Sequence, residues 1–340
     1  MRRISRVLAA FLACLPLPAL AWDAVGHRAI TVLAIEGLPG DMPAWLQTPQ
    51  AKAMIADQSV TPDRWRGVRA PQLTHLNNPD HYLDVEDLEP YGLTLETMSP
   101  LRHEFVKQMV LAKEKAGSNF KGKPVNPATD QAKTNEWPGF VAHASAEEYG
   151  KLISAFRVVR ILEQLNDPAR ADQLQMAKQT AMHHMGIMAH FVGDTAQPLH
   201  TTTHHHGWVG SNPNNYTTDR GIHSFIDGGV IRKHNITAAD VKPHCDFTMT
   251  VANPMNPWPE ILEHIRRSFR EVEPLYILEQ QGAFERLEGK RFVEVRLADG
   301  ASMLSALYES AWKASAPDAD DVKSFQRFDN FERSGSASGG

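Results

Sequence analysis

The stretch SAEEYGKLISAFRVVRILEQL, Ser145 to Leu165, decides the fold class. Tyr149, Leu152, Ile153, Phe156, Val159 and Leu162 recur at three- and four-residue steps, the period of an amphipathic helix and not of a strand. Asn166-Asp167-Pro168 then supplies a stop signal. A second run, from about Arg170 to Val192, repeats the pattern with Leu174, Ala177, Ala181, Met185, Met188 and Phe191. Shorter helical segments are expected over Gly26 to Leu38, Leu101 to Lys115, Pro259 to Gln280 and Ser302 to Lys313, and strand-like alternation is scarce. The expectation is an all-α, single-domain multi-helix bundle with long loops at Gly117 to Pro138 and Thr201 to Gly221. No fixed-period repeat and no Gly/Ser linker divides the interior. One domain is therefore expected over 22–325, followed by a disordered tail at 326–340 that ends in the low-complexity run Ser334 to Gly340.

Residues 1–21 have the anatomy of a cleavable export signal: basic Arg2, Arg3 and Arg6, an apolar run from Val7 to Leu17, and Ala19-Leu20-Ala21 at the cleavage point. The apolar run is too short to span a bilayer. Cleavage leaves Trp22 as the first residue of an exported, periplasmic or secreted protein, and lipoprotein anchoring through Cys14 is the weaker alternative. Cys245 is then the remaining cysteine, so no internal disulfide can form, and packing, with or without metals, must hold the fold together. The net charge of −5 becomes more negative once the three basic residues are removed. Such a net field does not attract a polyanion, so a phosphate-bearing substrate has to be drawn by something local, such as bound cations.

The densest chemical signal is His190-Phe191-Val192-Gly193-Asp194-Thr195-Ala196-Gln197-Pro198-Leu199-His200. On a helix His190 and Asp194 share a face, and Pro198 turns the chain so that His200 can fold back. His223 and Asp227 repeat the spacing, while His27, Asp63 and His81 lie upstream. Imidazole nitrogen and carboxylate oxygen suit zinc, and i,i+4 pairs are a common way for a helix to present them. His183 reads as support or packing, His75 as a bystander, and His204-His205-His206 as a solvent-exposed loop tract. There is no convincing phosphate loop, HExxH metalloprotease helix or nucleophile elbow.

From Trp22 to Asp227 this pattern resembles the zinc-dependent phospholipase C/P1 nuclease family. Trp22-Asp23-Ala24-Val25-Gly26-His27 is similar to the family's opening, with Asp23 in place of the commoner Gly. Pro62-Asp63-Arg64-Trp65-Arg66 looks like the segment that supplies a ligating Asp and a phosphate-binding Arg, and His81-Tyr82-Leu83-Asp84 like its His-aromatic-aliphatic-Asp motif. The resemblance implies three Zn2+ ions held by Trp22, His27, Asp63, His81, His190, Asp194, His200, His223 and Asp227, with Asp63 and Arg66 in catalytic roles. It implies a hydrolase acting on phosphodiester bonds through metal-activated hydroxide. The nuclease branch, cutting single-stranded nucleic acid and removing 3′-phosphates, is favoured by Asp227 and by the long gap from His200 to His223. Trp208, Tyr216 and Phe225 are candidate base-stacking residues, each also readable as packing. A phospholipase C acting on phospholipid head groups is the alternative, and a non-catalytic zinc-binding interaction protein the second. No stable protein partner is expected.

Overall fold

The computed structural model describes residues 22–128 and 130–329. The expected export signal, and the tail from 330 onward, lie outside the described residues. The chain is helical, with helices α1 (Ala24–Glu36), α2 (Pro49–Gln58), α3 (Thr61–Arg66), α4 (Pro71–Asn77), α5 (Arg102–Ala116), α6 (Val141–Leu165) and α7 (Ala171–Ala196) in its first part. There follow α8 (Ile222–Ser224), α9 (Val230–His234), α10 (Ala238–Val241), α11 (Trp258–Arg270), α12 (Val272–Gln280), α13 (Leu287–Ala314) and α14 (Ala319–Asp329). Among the described residues β pairing is limited to two isolated bridges, Leu83 with Gly139 and His205 with Gly207.

Helix α6 ends at Asn166, which adopts a left-handed conformation (φ 46°) ahead of Asp167-Pro168. The chain returns as α7, and the two long helices pack along one another more extensively than any other pair. From Met185 to Ala196 every residue of α7 is buried, because α1, α2, α3, α6, α11 and α13 surround it. A helix end buried on all sides has no solvated face. The polar residues His190, Asp194 and Thr195 are therefore placed in the core itself.

Three boundaries differ from the sequence reading. The single helix expected over Pro259 to Gln280 is two, α11 and α12, meeting at Glu271. Pro274 has no N–H for the Arg270 carbonyl and its ring would clash there, so α11 ends at Arg270. Helix α13 begins at Leu287, not Ser302, because its charged first half is satisfied by partners elsewhere: Lys290 pairs with Asp240, and Asp299 with Arg267 and His264. Helix α14 runs to Asp329, past the boundary placed at 325, and its last residue accepts from Arg170 Nη1 at 3.1 Å. The two long loops are present, but the first carries a turn of 3₁₀ helix at Gly117–Asn119.

Among the described residues, two buried histidines, His143 and His264, lie off the candidate site. His143 on α6 stacks on Phe105 with ring centroids 5.0 Å apart, and its Nε2 contacts the Ser99 carbonyl at 2.9 Å. Burial lowers its pKa from 6.5 to about 4, the Ser99 bond opposing and Arg102 assisting. Between those values the unfolded chain binds more protons here than the folded one, so stability falls as the medium is acidified. His143→Phe is expected to remove about 2 kcal/mol of the stability difference between about pH 7.5 and about pH 5. Urea unfolding at both values checks this, and equal pH dependence in the two proteins would sink it.

Candidate metal centre

The centre forms where the buried end of α7 meets α1, the α3 segment and the helical turn carrying Asp227. His27 sits one turn into α1, whose start is fixed by Asp23: its side chain accepts from the Val25 and Gly26 amides. Asp23 N also donates to the Asp227 carbonyl at 3.2 Å, which ties the beginning of α1 to the far side of the centre. Gly193 lets α1 and α7 approach, since a Cβ at that position would lie 2.9 Å from His27 Nδ1. Asp227 sits in a π-helical turn, Phe225–Gly229, of the kind that often marks a functional site.

Three groups of His and Asp side chains could hold metal ions: His27, His190 and Asp194; Asp63, His81 and His190; and His200, His223 and Asp227. They contain eight of the nine ligands implied by the sequence. His190 belongs to two groups, and Asp194 reaches toward both. One Asp194 oxygen is 3.4 Å from His27 Nε2, and the other is 3.1 Å from His81 Nδ1 and 3.4 Å from His190 Nε2. In the third group His223 Nε2 is 3.0 Å from His200 Nε2 and 3.3 Å from Asp227 Oδ2. Trp22, the ninth, is fully buried, with its Cβ against Gly26.

The hydrogen bonds around the rings show which way their lone pairs point. His190 Nδ1 is 2.7 Å from the Ser59 carbonyl and His200 Nδ1 is 2.6 Å from the His81 carbonyl. A carbonyl accepts only, so each Nδ1 carries the proton and each neutral ring turns an Nε2 lone pair inward. That is the protonation pattern of a metal-binding histidine held by its second nitrogen. Gln197 orders the third group in the same way: its amide donates to Asp227 Oδ1 at 2.6 Å and accepts from Leu199 N.

Electrostatics and unmet bonding agree with this arrangement. Burial, helped by neighbouring imidazoles, drives His27, His81 and His223 well below their ordinary pKa, with Arg66 adding to the effect at His81 and His223; burial takes His190 and His200 to about 3, against their carbonyl bonds. Burial pushes Asp194 and Asp227 well above the usual carboxylate range, with nearby carboxylates adding to it. Asp63 rises to about 6, again by burial, with Arg66 opposing. Both ring nitrogens of His27, one oxygen each of Asp63, Asp194 and Asp227, and His223 Nδ1 are buried with no hydrogen-bond partner. A cluster of neutral rings and desolvated carboxylates with so many unpaired atoms is costly unless cations complete it. The donor set of imidazole nitrogen and carboxylate oxygen fits zinc.

A cavity of about 230 Å³ opens beside the centre, lined by His81, His200 and His223 and by Arg66, Tyr82 and Asp84. Lys123, Thr134 and Asn135 from the long loop close another side, so this loop does border the cleft. The His204-His205-His206 tract, expected in solvent, folds against the site instead: His205 and His206 line the cavity, and their rings pack against His223. Asp84 explains the placement of His205. Its carboxylate is 1 % exposed and faces His205 Nδ1 at 3.6 Å and Lys123 Nζ at 3.7 Å. Burial opposes charge on His205, but Asp84 outweighs it and holds the imidazole above its ordinary value.

Of these wall residues, Asp84 ends the His81-Tyr82-Leu83-Asp84 motif and His205 lies in the His tract, though neither pattern assigns them to the wall, while Lys123, a single loop lysine, carries no sequence pattern. His75 and His183 do lie outside the three groups, the first against the Ala132 carbonyl and the second against Gln58. Of the candidate stacking aromatics, Trp208 is stacked by His204 at 3.8 Å, Tyr216 is buried against it, and Phe225 packs on Phe284. They serve as packing, and Tyr82 is the aromatic among the cavity-lining residues.

Comparison with family profiles and with curated proteins returns no match for this chain.

Proposed function

We propose that this protein is a zinc-dependent phosphodiesterase of the phospholipase C/P1 nuclease type that cleaves single-stranded nucleic acid. The reading rests on three contiguous buried His/Asp groups with the Arg66 guanidinium in the wall of the cavity beside them. A metal-stapled interaction protein would need the groups but not the guanidinium.

His27, His190 and Asp194, Asp63 with His81, and His200, His223 and Asp227 would hold the ions. Bound zinc supplies Lewis acidity and a nucleophilic water at neutral pH. Arg66 Nη1 lies 3.8 Å from Asp63 Oδ1, so the guanidinium stands at the edge of the centre, where it can bind a phosphate's outer oxygens. Its five fixed donors orient the phosphate and take up charge as the ester bond breaks. The cavity walls favour nucleic acid over lipid. Lys123, Thr134, Asn135 and Asn78 offer charge and hydrogen bonds, and Tyr82 offers aromatic surface to a base; a lipid cleft needs an apolar rim instead.

Elemental analysis of protein beginning at Trp22, paired with hydrolysis of single-stranded DNA, RNA and phosphatidylcholine before and after chelation, tests this. The expected result is three equivalents of zinc and nucleic-acid cleavage that chelator removes and zinc restores. Cleavage of phosphatidylcholine alone would replace nucleic acid by lipid as the substrate. Protein that binds no zinc and cleaves none of these substrates would overturn the reading.

A further inference from the structure

A second cavity, about 550 Å³, adjoins the one beside the metal centre and shares four wall residues with it: Arg66, Asn78, Thr134 and Asn135. The two are arms of one cleft that meet at Arg66. The second arm is walled by the segment just after α3 and by α4, through Arg69 and Thr74, and by Gln131 of the long loop. Arg69 is exposed and forms no ion pair among the described residues, in contrast to Arg64, which is held by Asp57. Asp130 is the acidic residue in this wall, but its carboxylate is turned into its own loop. There it accepts from the Thr134 amide and hydroxyl and from the Asn135 amide.

Resting on the phosphodiesterase reading above, we infer that the second arm is a subsite for the next stretch of a polynucleotide strand, with Arg69 binding the phosphate adjacent to the one held by Arg66. A strand cut in its interior must leave the metal centre on both sides, and the second arm, none of whose lining residues belongs to the three His/Asp groups, provides a path away from it. The second arm has the chemistry for backbone and not for bases. It offers a guanidinium and neutral amide and hydroxyl groups, and none of its lining residues is aromatic. On a chain of net charge −5 the attraction for a neighbouring phosphate has to be local, and Arg69 supplies it three residues from Arg66. The arm therefore selects for a substrate with more than one phosphate and is indifferent to sequence. A phospholipid with a single phosphodiester has no second phosphate to place against Arg69.

The test compares a short single-stranded oligonucleotide with bis(p-nitrophenyl) phosphate, which carries one phosphodiester, on zinc-loaded wild type, Arg69→Ala and Arg69→Lys. Arg69→Ala is expected to lower the ratio of kcat/KM for the oligonucleotide to that for the small diester about tenfold, mainly through KM, with Arg69→Lys recovering part of it. Binding of a fluorescent phosphorothioate oligonucleotide, followed by anisotropy, gives a readout independent of turnover. The slope of log K against log salt should fall by about one in Arg69→Ala. An unchanged ratio and slope, with wild type still cutting the oligonucleotide, overturns the subsite alone. Wild type that cuts only lipid overturns both this inference and the reading beneath it.

Discussion

Asp194→Ala is expected to lower the bound metal from three equivalents to about one and to cut phosphodiester hydrolysis by at least about a hundredfold. The reason is geometric. The two Asp194 oxygens point to different neighbours, one to His27 and the other to His81 and His190, so removing the carboxylate weakens two of the three groups at once. His200, His223 and Asp227 do not depend on it and should retain their ion. Stability provides a second readout with a distinctive sign. In metal-free protein Asp194 is a fully buried carboxyl whose charged form burial disfavours, so chelation should destabilise wild type more than the variant. Metal content by elemental analysis and thermal unfolding with and without chelator measure both effects. A variant that keeps all its metal would show that Asp194 is a structural acid and not a shared ligand.

The site was legible in the sequence to the extent that its residues sit on regular elements. His190 and Asp194 are four apart on a long periodic helix, so their shared face follows from helix geometry alone. Gln197-Pro198 ends that helix, with Gln197 extended ahead of the proline, and this brings His200 back to the His81 backbone. The walls of the cleft were not legible, because they are built by loops whose positions depend on distant backbone bonds. Leu83 N donates to the His200 carbonyl, Val85 N to that of Thr201, and Asp84 N to that of Pro138. These bonds gather three segments around one cavity. Gly139, at φ 115° and too close to the Tyr82 carbonyl to accept a Cβ, is what allows the last of them. No period or motif announces such a junction, so Lys123, Thr134 and His205 entered the site unannounced. The start of α13 was missed for a different reason: Val293, Leu297, Ala298 and Ala301 form a buried stripe at helical spacing, but it is interleaved with charged residues such as Lys290 and Asp299, whose partners lie on other helices.

On the proposed reading, Arg66 is the residue that distinguishes a phosphate-processing centre from one that only binds ions. Replacing it by alanine should leave metal content and thermal stability close to wild type, because none of the three ligand groups includes it and it sits at the rim, 21 % exposed. Activity should nonetheless fall by about 10² to 10³ in kcat, the range seen when one preorganised donor to a developing oxyanion is removed. Its position gives the reason. It closes the C-terminal end of α3 three residues after Asp63, faces the centre on one side, and lines both arms of the cleft on the other. Arg66→Lys should recover little, since a single ammonium cannot match two phosphate oxygens at once as a planar guanidinium does. Steady-state kinetics on a short oligonucleotide, with metal content measured on the same preparations, decide the matter. A large loss of kcat at full metal occupancy places Arg66 on the reacting phosphate. A parallel loss of metal would instead make it a support for the Asp63 ligand, and activity at the wild-type level would remove the feature on which the phosphodiesterase reading depends.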